Sequence, residues 1–475
     1  MDNQNTLFHE TCLKIEKSLK IGENMDAKCG MLIIAGKICR YYYLEGFMNK
    51  QALERIVHGI NKNKIIDWSK IPTSHDFVSR HMFFSECVKV NFEDAINRVL
   101  SGFLLLIFEG YENELLIAEA RVTPQRGIQE PTKGKTLRGP HEGFCENIVT
   151  NLALLRRRIK TTKLTVKEFT LGELTQTRLS VCYIDSVADK RNIDDVTNSI
   201  NQVRIKAASM GEETLIENLF YKKKRSFLNP LPRARFTERP DTCAAELLEG
   251  KIVILIDTTP NAIILPMTLF EFFEECDNYY FPPVTASYLR IVRFFSFLSG
   301  IYLLPVWLLV LTQADYLPET LSFLTIHDSY SVPIFLQFLF IEIAIDALKL
   351  ASLNTPDPLA NSLSVVGGLL LGDFAVKSGW FVPQTILYSA IVTILNFIPN
   401  NYELGYAFKF WRISLLLLVQ TMDFYGLIIG TIYIFISLFK MRDAAGRCYL
   451  YPFIPFDKQG IIKIFVRTIS GKESK

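Results

Sequence analysis

Glu342, Asp346 and Lys349 stand four and three residues apart inside Val332–Ser352, an otherwise apolar stretch. A helix there places all three on one face. Charge inside a bilayer is costly unless it faces a partner or water. One reading is therefore a wet pathway, or a ring of charge formed when copies of the helix gather round an axis. The other is an interfacial helix whose charged face is solvated and whose Asp346 and Lys349 pair along the helix. The spacing favours the interfacial helix. Asp373 and Lys377 form another i, i+4 pair, read as structural. Asn361, Ser364, Gly368 and Gly372 share one stripe of small and polar residues, either a close helix contact or a narrow pore wall.

A second constellation lies earlier in the chain. Arg138, Gly139, Pro140, His141, Glu142 and Gly143 precede a run of Arg156, Arg157 and Arg158. Phe144, Ile148, Leu152, Leu155 and Ile159 follow helical spacing and predict an amphipathic helix over Glu142–Lys160. Arg138 and the arginine run could take phosphate or an acidic surface; more often such runs are solvated or pair at a domain interface. His141 and Glu142 resemble an acid–base pair but lack a second partner. Glu238, Arg239, Pro240 and Asp241 most simply make a turn with Arg239 locked to a carboxylate. Arg138, Glu238, Arg239 and Asp241 are expected to be structural, paired at a subdomain or subunit interface. There is no P-loop, G-x-S-x-G, H-E-x-x-H or dinucleotide fingerprint. No enzyme activity, metal or cofactor is implied.

These groups must be positioned by two unlike halves. The 475 residues are 49% hydrophobic, and mean hydropathy is +0.19, above what a core alone requires. Charges crowd the first 290 residues and long apolar runs crowd 291–439. Ile291–Leu311, Leu359–Phe381, Thr385–Pro399 and Ile413–Phe439 are candidate spans, since a span needs about 20 apolar residues. Arg290 and Arg293 before the first span place the N-terminal region in the cytoplasm, and the first twenty residues show no apolar signal core. Basic residues after Phe439 also read cytoplasmic. Counting Val332–Ser352 as a span would give five crossings, an odd number. Either that helix lies in the interface, the favoured reading, or Ile413–Phe439 is broken near Asp423–Gly426. A net charge of +3 argues against nucleic acid as a partner. The nine cysteines show no C-x-x-C pair and are expected to be reduced thiols.

The polar half reads as a duplication. Tyr43, Glu45, Lys50, Leu53 and Glu54 match Tyr183, Asp185, Lys190, Ile193 and Asp194 at an offset of 140 residues. Gly102, Glu109, Asn113 and Leu115 match Gly250, Asp257, Asn261 and Ile263 at an offset of 148. Each unit carries a strand, a helix, a later helix ending at glycine and a β-hairpin, namely Phe103–Phe108 into Glu114–Ile117, and Ile252–Ile256 into Ala262–Leu265. The fold class is thus a duplicated α/β N-terminal region of two similar subdomains, plus a C-terminal α-helical polytopic membrane domain. The expected divisions are 1–125, 126–163 (the RGP…RRRI region), 164–285, a membrane domain over 286–445 and a cytoplasmic tail over 446–475.

RGPHEGF…NLALLRRRI, NPLPRARFTERPD, GKIVILIDTTPNAIILP and the closing YPFIPFD together resemble the GerA-type spore germination proteins, the A-subunit family of germinant receptors. FPPVTASYLRIVRF and FLQFLFIEIAIDALKLASLNTPDPLA look most similar to the stage V sporulation branch of that family. Nutrient-receptor A subunits typically read FEALREAG-like where this chain reads IDALKLAS. The resemblance implies a multi-pass protein of the spore inner membrane, its N-terminal region on the core side. It also implies a homo-oligomeric, pentameric ring passing monovalent cations, with other spore membrane germination proteins as partners. In that branch the protein would amplify ion release; a nutrient-sensing A subunit is the alternative.

Overall fold

The computed structural model describes residues 2–48, 68, 71–81, 87–119, 138–203, 212–220, 230–275, 280–314, 317–326, 330–355, 365, 367–368, 370–398, 401–444 and 446–466. The chain divides into an N-terminal unit, Met1–Lys224 with Arg233–Pro266, and a helical unit, Arg225–Pro232 with Met267–Lys475.

In the N-terminal unit the first repeat holds α1 (Asp2–Leu19), β1 (Ala27–Ile34), β2 (Lys37–Leu44), α2 (Ser74–His81), β3 (Cys87–Val90), α3 (Phe92–Leu100), β4 (Leu104–Phe108) and β5 (Leu115–Ala118). Helix α4 (Ile148–Arg158) links it to the second repeat. That repeat holds β6 (Leu164–Leu171), β7 (Thr177–Ile184), α5 (Lys190–Gln202), α6 (Glu212–Phe220), β8 (Arg235–Thr237), α7 (Pro240–Leu248), β9 (Ile252–Ile256) and β10 (Ala262–Leu265). The two antiparallel sheets have the same strand order, β1-β2-β4-β5-β3 and β6-β7-β9-β10-β8.

Register makes the duplication concrete. Cys39 faces Phe108 in the first sheet and Leu179 faces Ile256 in the second. Those partners differ by the same 140 and 148 residues found in the sequence. Past the hairpin turn the match slips: Leu106 faces Leu116, whereas Ile254 faces Ile263. The second hairpin is one residue shorter, so Leu116, not Leu115, is the counterpart of Ile263, because register allows no half-steps. The positions matching Lys190, Ile193 and Asp194 in the first repeat lie outside the described residues.

Strands β4 and β9 are apolar without alternation because both faces are covered. Leu105 and Ile107 pack with Phe8, Cys12 and Ile15 of α1 and Val99 of α3. Leu104, Leu106 and Phe108 pack on the other face with Phe77 and Val78 of α2. The N-terminal extension is therefore part of the first core. Asn91 caps α3 by accepting from the Asp94 amide, and Pro240 opens α7 at a position where a missing amide costs nothing. Gly102 and Gly250 follow these helices at φ +95° and +89°, where a side chain would be strained.

The helical unit holds α8 (Pro283–Thr312), α9 (Ile334–Leu353), a π-helical turn (Leu370–Phe374), α10 (Pro383–Asn396), α11 (Tyr402–Lys440) and α12 (Lys458–Phe465). Among the described residues α8 and α11 are long and apolar enough to cross a membrane, with mean hydropathies of 2.1 and 1.8. A continuous helix of 39 residues would measure about 58 Å, nearly twice a bilayer core. It is not continuous: Asp423 has φ 49°, ψ −127°. A Cβ on Gly426 would overlap the Leu418 carbonyl, and one on Gly430 would overlap Leu415. The chain therefore reverses, and residues 402–422 and 424–440 pack antiparallel. The break near Asp423–Gly426 is the reading the sequence placed second. Residues 448–465 are also no free tail. Tyr449 is fully buried, its hydroxyl donates to the Pro232 carbonyl at 2.7 Å and its carbonyl accepts from Leu269 at 3.0 Å.

Candidate functional site

Helix α9 is pinned at its start by Gln337, whose Oε1 accepts from the Val382 amide at 3.1 Å and the Thr385 hydroxyl at 2.9 Å. Two turns on, Glu342 and Asp346 meet Lys409 and Arg412 of α11. Lys409 Nζ lies 3.0 Å from Glu342 Oε2 and 2.5 Å from Asp346 Oδ2, and donates to the Glu342 carbonyl at 2.8 Å. Arg412 Nε and Nη2 lie 2.8 and 2.7 Å from Glu342 Oε1, and Nη1 donates to the Gly300 carbonyl of α8. Arg412 is fully buried. Asp346 Oδ1 is buried without a hydrogen-bond partner. Lys349 Nζ sits over the Phe397 ring, 4.6 Å from its centre.

Three helices thus converge on one charge cluster. The face expected to be solvated, with Asp346 paired to Lys349, is instead turned to α11: Glu342 is buried and Asp346 meets Lys409. Sequence reading missed Lys409 and Arg412 as partners. The signal was there: two cations at i, i+3 in an apolar helix complement two acids at i, i+4 in another.

Among the described residues nothing lies within 4 Å of a Cβ placed on Gly368 or Gly372, and it is Gly367 that lies close to Leu348 of α9. Asn361 and Ser364 lie outside the described residues. Asp373 and Lys377 form the expected exposed pair at 2.6 Å.

The arginine run is consumed by carboxylates. Arg156, buried, holds Asp26 at 2.7 and 3.1 Å, joining the inter-repeat helix to the start of β1. Arg157 and Arg158 both grip Glu142. The expected helix over Glu142–Lys160 is shorter, because Asn147 caps it by accepting from Val149 and Thr150. Pro140 to Glu146 is loop, with Gly143 and Phe144 buried and Gly139 at φ 124°. Arg239 clamps Asp241 through Nε and Nη2 at 3.0 and 2.5 Å, and Glu238 accepts from the Phe144 amide through its carbonyl at 2.7 Å. Arg138 is exposed. Arg239→Ala is expected to lower protein level, since Asp241 would stay buried beside the lost cation at a cost of a few kcal/mol. Immunoblotting of membranes checks it, and normal level with lost function would sink this role.

A strap, residues 20–26, crosses from the first repeat to the second. The Met25 amide donates to the Val166 carbonyl at 2.9 Å, and Asn24 Oδ1 accepts from the Val166 amide at 2.7 Å. Beside it lies a cleft of about 630 Å³ lined by both repeats, including Glu23, Lys28, Lys167 and Thr197. Among the described residues no acidic, histidine or cysteine cluster is built to hold a metal. Burial pushes the Cys39 thiol up, and the Cys182 thiol up to about 12, so neither is a ready nucleophile.

A duplicated polar unit followed by apolar helices that enclose an ion-pair cluster is the plan of a membrane protein with a large extramembrane region. The chain belongs to the family described as Bacillus/Clostridium GerA spore germination protein, whose family model matches residues 14–475. It is 34% identical over 451 residues to stage V sporulation protein AF of Bacillus subtilis (strain 168), covering 94% of this chain and 90% of that protein. It is 30% identical to spore germination protein KA of the same organism, covering 78% and 68%. A crystal structure of the N-terminal domain of the A subunit of the Bacillus megaterium spore germinant receptor GerK3 matches 53% of this chain and 92% of that chain, with 25% identity and a TM-score of 0.38.

Proposed function

We propose that the chain is a subunit of a homo-oligomeric ring, five-fold by family resemblance, that passes monovalent cations and amplifies ion release in germination. The observation that carries this reading is the three-helix cluster of Glu342, Asp346, Lys409 and Arg412 within an apolar unit. Buried ion pairs are weak devices for stability, so ionisable groups at such a place point to a pathway. Glu342 is enclosed, whereas Asp346 keeps 29% of its side chain exposed. Asp346 is thus the carboxylate able to face ions, and Lys409 closes it off here. Other spore membrane germination proteins are expected partners. The location that fits is the spore inner membrane with the N-terminal unit on the core side. With two passes for the reversed α11, counting α9 as a crossing would leave both chain ends on one side.

The test is conductance of the purified protein in planar bilayers. Asp346→Asn is expected to lower cation-over-anion permeability several-fold, because acidic groups round a pore favour cations. Unchanged selectivity and conductance in this variant would remove Asp346 from the pathway. The inter-repeat cleft supports a second reading, a nutrient-sensing A subunit that binds a small ligand there. Wild-type protein that passes no current, yet is stabilised by a small solute, would favour it.

A further inference from the structure

We infer that residues 450–466 form a foot resting on an anionic lipid surface. The inference rests on the reading of the helical unit as membrane-spanning and adds where its end lies. Contacts fix the depth of α12. The Phe465 ring meets Phe294 of α8 edge-on at 5.2 Å, and Arg290 donates to the Lys463 carbonyl. Those residues flank Ile291, where the apolar run of α8 opens. Helix α12 is therefore held at the level of the first apolar turn, where a bilayer meets water.

Its surface suits that place. Ile464 is turned inward, while Ile462 and Val466 are 45% and 48% exposed and Phe456, just before the helix, is 76% exposed. Helices of this kind lie with their apolar side at the boundary of headgroups and acyl chains. Basic charge is in excess there. Lys440, Arg442, Arg447, Lys458 and Lys463 are all exposed. The nearby acids have partners: Asp443 is buried against Arg447 at 2.9 Å, Asp457 accepts from Tyr451 at 2.7 Å and caps α12, Glu274 lies 3.5 Å from Arg290, and Glu271 accepts from the Thr268 amide at 2.8 Å. Basic residues are attracted to the negative surface potential of an anionic leaflet. The same excess disfavours a self-complementary contact with a second copy, which would oppose like charges.

The test uses the full chain in nanodiscs of phosphatidylethanolamine and phosphatidylglycerol. The photoreactive residue p-benzoylphenylalanine replaces Phe456, Ile432 of α11 or Leu174 of the β6–β7 turn in separate preparations, and adducts are read by mass spectrometry. Lipid adducts are expected at 456 and 432 and none at 174. Adducts at 456, not at 432, should fall several-fold in phosphatidylcholine alone, or when Lys458→Gln and Lys463→Gln are combined. Lipid adducts at 432 without any at 456 would overturn the foot while leaving the membrane reading intact. A protein adduct at 456 would assign the surface to a second copy or another chain and also overturn it. No lipid adduct at 432 would remove both readings together.

Discussion

Arg412→Ala should leave little folded protein in the membrane. The guanidinium is fully buried and serves both Glu342 and the Gly300 carbonyl, so its loss leaves a buried carboxylate half-compensated and an α8 carbonyl without its donor. Breaking such a pair costs about 3–5 kcal/mol, comparable with the whole stability of many domains. Lys409 cannot make this good, since its three acceptors already surround it. Lys409→Ala should cost less, because Arg412 still holds Glu342 and Asp346 has access to water. The control is Arg412→Met with Glu342→Met, which removes both charges and should restore most of the lost protein. Thermal unfolding in detergent and membrane abundance measure all three. An Arg412→Ala protein as stable as wild type would mean that the cluster does not hold α8, α9 and α11 together.

The contrast between halves shows what a sequence exposes. In the N-terminal unit the repeats were legible because each strand is short, apolar and bounded by turn residues, and because a preserved register leaves a constant offset. The failure came at one hairpin, where a single missing residue shifts every later partner and similar apolar side chains hide the slip. Helix α1 was not legible as core: its buried Phe8, Cys12, Ile15 and Leu19 sit among charged residues, and no repeat partner flags them. In the helical unit the acids of α9 and the cations of α11 were both visible, but not as partners. Lys409 and Arg412 lie more than sixty residues away, and only tertiary packing shows that their spacing fits. The arginine run was legible as a pairing device but not in its partners, since Asp26 precedes Arg156 by 130 residues.

Gly426→Leu is the substitution expected to break the helical unit most directly, and it separates two pictures of α11. In a continuous apolar helix, leucine in place of glycine would be neutral or stabilising by up to about 1 kcal/mol, since glycine is a poor helix former. In the observed hairpin, residue 426 lies on the backbone of Leu418, where a Cβ cannot fit. Leucine there must push the two arms apart, and Gly430 beside Leu415 allows no slack one turn further on. The arms would lose their close packing, which in an apolar solvent is the main attraction between helices. Loss of folded protein is therefore expected for Gly426→Leu, and a smaller loss for Gly426→Ala. Asp423→Gly should act the other way. Asp423 adopts φ 49°, a conformation that strains an ordinary residue and suits glycine, so a gain of about 1 kcal/mol is expected. Thermal unfolding of the three variants in detergent reads both signs. A stabilising Gly426→Leu together with a destabilising Asp423→Gly would mean that the helix runs straight through.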